Sequence, residues 1–139
     1  MGERIDPVVN DLSRPFWDAA AAGRLVLPHC RRTGRAFWPP SPSSPYGGGE
    51  VEWREVAPRG RLAASVVYRR LFQKPLAPCL PYGIGLVELD CGVRLQAHVA
   101  RPDEADAPRA GDQVALYFAT LPGGSVPVLH AGQAAHDRP

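Results

Sequence analysis

Two short stretches constrain this chain more than any other part of it. The first reads Cys30-Arg31-Arg32-Thr33-Gly34 and the second Ser44-Pro45-Tyr46-Gly47-Gly48. Their spacing, their glycines and the intervening Phe37-Trp38-Pro39-Pro40 have the layout of a small ribbon folded on two metal knuckles. Such a knuckle is a C-x-x-C followed by Gly, because Zn²⁺ takes four thiolate or imidazole ligands in a tetrahedron. Here Cys30 is the only ligand position retained. His29 is an awkward second ligand, since neighbours on an extended chain point to opposite faces. A third ligand such as His98 would have to be borrowed from far along the chain. The plainer reading makes Cys30 a small buried hydrophobe. A structural zinc supplies on the order of 10 kcal/mol to so small a unit. Burial of Phe37, Trp38, Tyr46 and Trp53, or docking against a partner, is the expected substitute.

The remaining numbers narrow the class. At 139 residues the chain is one small domain, or a domain with an appendage. Its 16 prolines and 14 glycines favour turns and short strands over long helices. A net charge of +2 creates no global field of the kind a general nucleic-acid binder carries. Cys30, Cys79 and Cys91 are odd in number and show no knuckle spacing among themselves, which suits a reducing cytoplasm. The first residues lack a basic region followed by an apolar core, so no secretory signal is read there, and no apolar run approaches a bilayer span.

Ser13-Arg14-Pro15 starts a helix carrying Phe16, Trp17, Ala20 and Ala21, and Gly23 stops it. Leu25-Val26-Leu27 is a strand into the first knuckle, and Val51, Trp53 and Val56 lead out of the second. After the turn Pro58-Arg59-Gly60 the pattern becomes β. Leu62 to Tyr68, Gly83 to Leu89, Val93 to Val99 and Gln113 to Phe118 read as strands, the middle two joined by the hairpin turn Asp90-Cys91-Gly92. Short strands with tight turns suggest a small barrel, with Gly83-Ile84-Gly85 as a close-packing site in its wall. The insertion from Arg69 to Pro81 is long for a hairpin and mixes cations with apolar residues, as functional loops often do. The expected divisions are a helical segment 1–24, a ribbon 25–57, a barrel 58–121 and a partly disordered tail 122–139.

Four stretches together resemble a known family, the acyl-CoA-associated proteins with a zinc ribbon followed by an OB-fold, which accompany thiolase-like enzymes. They are Phe16-Trp17 through Gly23-Arg24-Leu25; Cys30 to Gly34 with Phe37-Trp38-Pro39-Pro40; Glu52-Trp53 with the Gly60 turn; and Pro81-Tyr82, Leu86 to Asp90 and Gly92 to Leu95. The resemblance implies a mainly β fold: an N-terminal helix, a degenerate rubredoxin-like zinc ribbon and a C-terminal five-stranded Greek-key OB-fold barrel. It also implies an auxiliary subunit that binds a thiolase, acyltransferase or retro-aldolase of the thiolase superfamily and helps bind or channel an acyl-CoA thioester. The chain departs from the pattern at Thr33, Ser44 and Gly47, where the family usually has Cys. It is therefore expected to do without zinc and to bind no cofactor alone, with a CoA thioester as the ligand shared with its partner.

On that resemblance, Arg69, Arg70 and Lys74 in the long loop, and Arg31 and Arg32 with Arg35 in the knuckle, are candidates for CoA phosphate contacts. Arginine suits phosphate through bidentate hydrogen bonds, while the bland alternative is a solvated surface. Phe16, Trp17, Phe37 and Trp38 are candidates for the partner interface, where aromatic anchors concentrate. Adjacent helical positions diverge by about 100°, so Phe16 and Trp17 are expected to face different ways. No catalytic residue is assigned. Cys79 and His98 are not brought together by the sequence, and His130 and His136 fall in the tail. The alternative function is a stand-alone OB-fold that binds single-stranded nucleic acid or another ligand through Tyr68, Phe72, Tyr82, Arg69 and Arg70.

Overall fold

The structure is a computed structural model that describes residues 9–69, 81–122 and 124–134. It begins with helix α1 (Arg14–Ala21). Ser13 does not cap this helix with its side chain. Instead it exchanges hydrogen bonds with Asn10, whose Oδ1 accepts from the Ser13 N–H at 2.9 Å. The expected stop at Gly23 is present: its N–H bonds Ala20 O and the Arg24 N–H bonds Ala19 O, both at 2.9 Å. This is a helix end closed by a glycine in left-handed conformation, with φ of 75°.

Strands β1 (Val26–Cys30) and β2 (Val51–Glu55) form an antiparallel pair in which Pro28 faces Trp53 and Cys30 faces Val51. This hairpin of two distant segments is the ribbon. The barrel follows as β3 (Arg59–Tyr68), β4 (Tyr82–Leu89), β5 (Arg94–Ala100), β6 (Gln113–Ala119) and β7 (Val128–Gln133), closed in the order β3-β4-β5-β7-β6. The fold is thus mainly β, with the short N-terminal helix and the five-stranded barrel that were expected.

One boundary lies elsewhere than the sequence suggested. The barrel was expected to end near residue 121, but its fifth strand is β7, drawn from the segment assigned to the tail. Leu129 and Ala131 point into the core, and β7 runs antiparallel to β6 from Val114↔Gln133 to Ala119↔Val128. A period of two over so few residues, interleaved with His, Gly and Ala, carries too little apolar contrast to read as a strand. Only pairing with β6 shows it. Residues 135–139, including His136, lie outside the described residues.

The core is one cluster that reaches from Phe16 and Leu27 through Leu62, Val87, Leu95 and Val114 to Leu129. Helix, ribbon and barrel therefore share a hydrophobic interior. The wall glycines make tight packing feasible, as the sequence suggested: a Cβ on Gly85 would stand 2.6 Å from the Leu62 Cδ1.

Candidate functional site

The knuckles come first. Cys30 ends β1 with no exposed surface. Hydrogen bonding from the side chains of Ser44 and then Thr33 brings its thiol down to about 7, against a smaller opposing effect of burial. The positions that fall at Thr33 and Ser44 therefore do converge on Cys30, as they would around a metal. Further ties pin the second knuckle to the first. The Arg32 guanidinium donates to Tyr46 O at 2.6 Å, Arg31 pairs with Glu50 at 2.8 Å, and Arg35 lies 4.1 Å above the centre of the Tyr46 ring. The Tyr46 hydroxyl donates to Ala36 O at 3.3 Å, and its ring meets Phe37 edge-on. The basic knuckle read from the sequence is thus built into the ribbon. A phosphate there would compete with Glu50 for Arg31 and with a backbone carbonyl for Arg32.

The aromatic residues divide by burial. Phe16 and Phe37 are inside, 4% and 5% exposed. The Phe16 ring sits 4.8 Å from Trp17, 4.8 Å from Trp38 and 5.8 Å from Phe118, joining helix, ribbon and barrel. Trp17 and Trp38 are half-buried and line an apolar groove of about 930 Å³ between the helix–ribbon unit and the barrel. Its far wall is formed by Tyr68, Tyr82, Ile84 and Leu86. The expected divergence of Phe16 and Trp17 is what the helix produces, and of the four aromatic candidates the two tryptophans retain surface to offer.

The long loop is only partly in view. Arg69 makes a bidentate pair with Asp103, at 2.6 and 2.7 Å. This tie holds Arg69 charged and the Asp103 carboxyl below its usual range. Arg70, Lys74, Phe72 and Cys79 lie outside the described residues.

Sequence reasoning missed a belt of rings around the barrel. Tyr68 stacks on Tyr82, Tyr82 on His98, His98 meets His130, and His130 stacks on Tyr117, with centroids 4.8–5.5 Å apart. Each of the five barrel strands contributes one ring. His98 stacks on Tyr82 and meets His130 within the barrel, and it is not among the groups that bond Cys30. His98 and His130 are cross-strand neighbours in the parallel β5–β7 pair. The His130 Nδ1 donates to Val128 O at 2.9 Å, which fixes its tautomer when neutral. Their proximity was not readable while His130 was assigned to the tail.

Burial first, and the charge of His130 second, push His98 from 6.5 to about 4; burial lowers His130 as well. The consequence for stability has a definite sign. Below 6.5 an unfolded chain takes up protons that the folded histidines refuse. Stability from the pair is complete above that value and is lost as the pH falls towards 4. Around the rings stand Tyr82 and Tyr117, and in the adjoining cavity Arg101, Asp103 and Glu104. The loss between pH 6.5 and 4 should be on the order of 2 kcal/mol. Urea melts across this range should show it, and His98→Gln should flatten the dependence. An unchanged slope in that variant would assign the effect elsewhere.

Residues 17–43 match the ChsH2 rubredoxin-like zinc ribbon domain, and residues 53–119 match the ChsH2 C-terminal OB-fold domain. A solved chain titled "Ltp2-ChsH2(DUF35) aldolase" is 26% identical, with a TM-score of 0.74 over 91% of this chain and 98% of that one. No curated protein matches. The ribbon match corrects one expectation. The chain was expected to do without zinc, yet its N-terminal unit belongs to a zinc-ribbon domain class, which points to zinc as a ligand of this fold. The expectation rested on side chains alone, whereas the class follows the ribbon as a whole. The donor set itself fits the metal poorly. One thiol and two hydroxyls surround the position, and among the described residues no three of His, Cys, Asp or Glu converge. No chemistry of this chain is assigned to the metal. With the ribbon and the barrel both matched and in the same order, the chain belongs to the ChsH2 family of zinc-ribbon and OB-fold proteins.

Proposed function

We propose that this chain is an auxiliary subunit that binds a thiolase-superfamily enzyme and helps bind or channel an acyl-CoA thioester. The observation that carries the reading is the likeness, along nearly the whole length of both chains, to a protein whose title pairs ChsH2(DUF35) with the Ltp2 aldolase. The groove between ribbon and barrel supports it. Trp17, Trp38, Ile84 and Leu86 offer an apolar surface at the junction of the two units, suited to a partner's side chains or to the acyl part of a thioester. The partner supplies the reacting groups, and this chain supplies interface and one wall of the acyl path.

Co-expression with candidate thiolase-superfamily subunits from the same genome should give a stable hetero-oligomer with one of them. Trp17→Ala and Trp38→Ala should each weaken the complex by about 2 kcal/mol, the usual cost of losing an aromatic anchor, with the fold retained. Binding isotherms and melting curves on the same samples separate the two effects. A chain that elutes alone beside a folded candidate partner would overturn the proposal.

A further inference from the structure

The second half of β3 departs from the rest of the barrel. No other barrel strand has a run of exposed residues, but Ala64, Ser65, Val66 and Val67 are all exposed. Val66 is 57% and Val67 37% exposed, which is high for Val in a barrel strand. The reason lies in the register. β3 pairs with β6 only over Arg59–Arg61, then Leu62 closes against Gly111 and Asp112. Past the irregularity between Leu62 and Ala64, β3 continues beside β4 alone.

The direction of its free backbone groups follows from the ladder. The Leu89 N–H bonds Val93 O, so the odd residues of β4 bond towards β5 and the even ones towards β3. Leu86, Ile84 and Tyr82 stand opposite Ala64, Val66 and Tyr68. That leaves Ser65 and Val67 directing N–H and C=O away from the sheet. Among the described residues neither has a ladder partner there.

Such an edge is normally blunted by charge or proline. From Leu62 to Tyr68 the strand has neither. The cations at its two ends are already matched, Arg61 by Glu88 at 3.7 Å and Arg69 by Asp103 at 2.6 Å. Among the described residues the edge therefore presents main-chain hydrogen-bonding groups and small apolar side chains with no charge left to satisfy, which favours an occupant that is itself uncharged there.

We infer that the β3 edge at Ala64–Val67 receives an uncharged, extended segment of the partner enzyme subunit, which adds a strand to the barrel sheet. The inference rests on the proposed auxiliary function. The likeness to the ChsH2(DUF35) chain of an aldolase complex favours the enzyme subunit over a second copy of this chain. Four residues of edge span about 13 Å, far too little for the roughly 800 Å² per side of a stable interface. The surface that continues from this edge is the groove: Val66 stands opposite Ile84 and Tyr68 stacks on Tyr82, both of which line it. An occupant that covers edge and groove together buries more than the edge alone offers, with main-chain bonds for affinity and apolar contacts for choice of partner.

The test is a binding titration of the chain against the thiolase-superfamily subunit with which it co-purifies. Ser65→Pro removes an outward N–H that the β3–β4 ladder does not use, and proline is tolerated on an edge. Val66→Lys places a charge on the exposed face, and Ser65→Ala is the control. We expect Ser65→Pro and Val66→Lys to weaken binding at least tenfold with melting curves close to wild type, and Ser65→Ala to bind normally. Should Ser65→Pro unfold the chain, Val66→Lys alone decides. Wild-type affinity in the folded variants overturns the edge while leaving the auxiliary function standing. Failure of the wild type to bind overturns that function and the edge assignment with it. A wild-type homodimer that Ser65→Pro dissociates would overturn the choice of occupant.

Discussion

Phe16→Ala should cost about 4 kcal/mol of stability, within the range for deleting a buried aromatic ring. Phe16 is 4% exposed and touches the rings of Trp17, Trp38 and Phe118. Those three neighbours belong to the helix, the ribbon and the barrel. Removing the ring leaves a cavity at a point where all three units meet. For a chain of this size the melting temperature should fall by roughly 15 °C. Trp17→Ala, one position on, removes a half-buried ring from the groove and should act more on association than on melting. Urea unfolding of both variants checks this. A loss below about 1 kcal/mol for Phe16→Ala would show that the units are joined mainly through other contacts. Two separate transitions in that variant would identify Phe16 as the link that makes ribbon and barrel unfold together.

Gly60→Ala should be nearly as damaging, at about 3 kcal/mol, the upper end for overpacking. Gly60 lies on β3 where it faces both β4 and β6. A Cβ there would stand 2.2 Å from the Glu88 carbonyl oxygen and 2.9 Å from its carbon. Backbone atoms cannot swing away as a side chain does, so β3 or β4 must shift. Both are held on their far sides, β3 by β6 and β4 by β5. Ala at Gly92, where φ is 92° and nothing lies within 4 Å, tests the contrast. It carries only the strain of a left-handed residue, on the order of 1 kcal/mol. A Gly60→Ala protein that melts like wild type would mean that the barrel wall yields at this point.

Several features are legible in the sequence itself. Helix α1 and its end at Gly23 follow from periodicity and from a residue free to take positive φ. The four strands β3 to β6 follow from β-branched runs between turn residues, because the signal for a strand is local. The ribbon followed from knuckle spacing, and the order of ribbon and barrel carried the family. What the sequence could not settle depends on which distant groups meet. β7 is a strand only because β6 offers it a ladder and the core takes Leu129 and Ala131. That pairing also moves His130 from a tail to the side of His98, and no local pattern holds that information. The same holds for the charges. Arg31, Arg32, Arg35 and Arg69 read as free cations along the chain, and the fold gives each a neighbour, Glu50, the Tyr46 carbonyl, the Tyr46 ring and Asp103. Phe16 and Trp17 look equivalent in sequence, but the helix turns one into the core and the other towards the groove. Local propensity and spacing determined the elements and their order. Closure of the barrel decided the partners of each side chain, because contacts between remote segments depend on register and burial that only the assembled sheet defines.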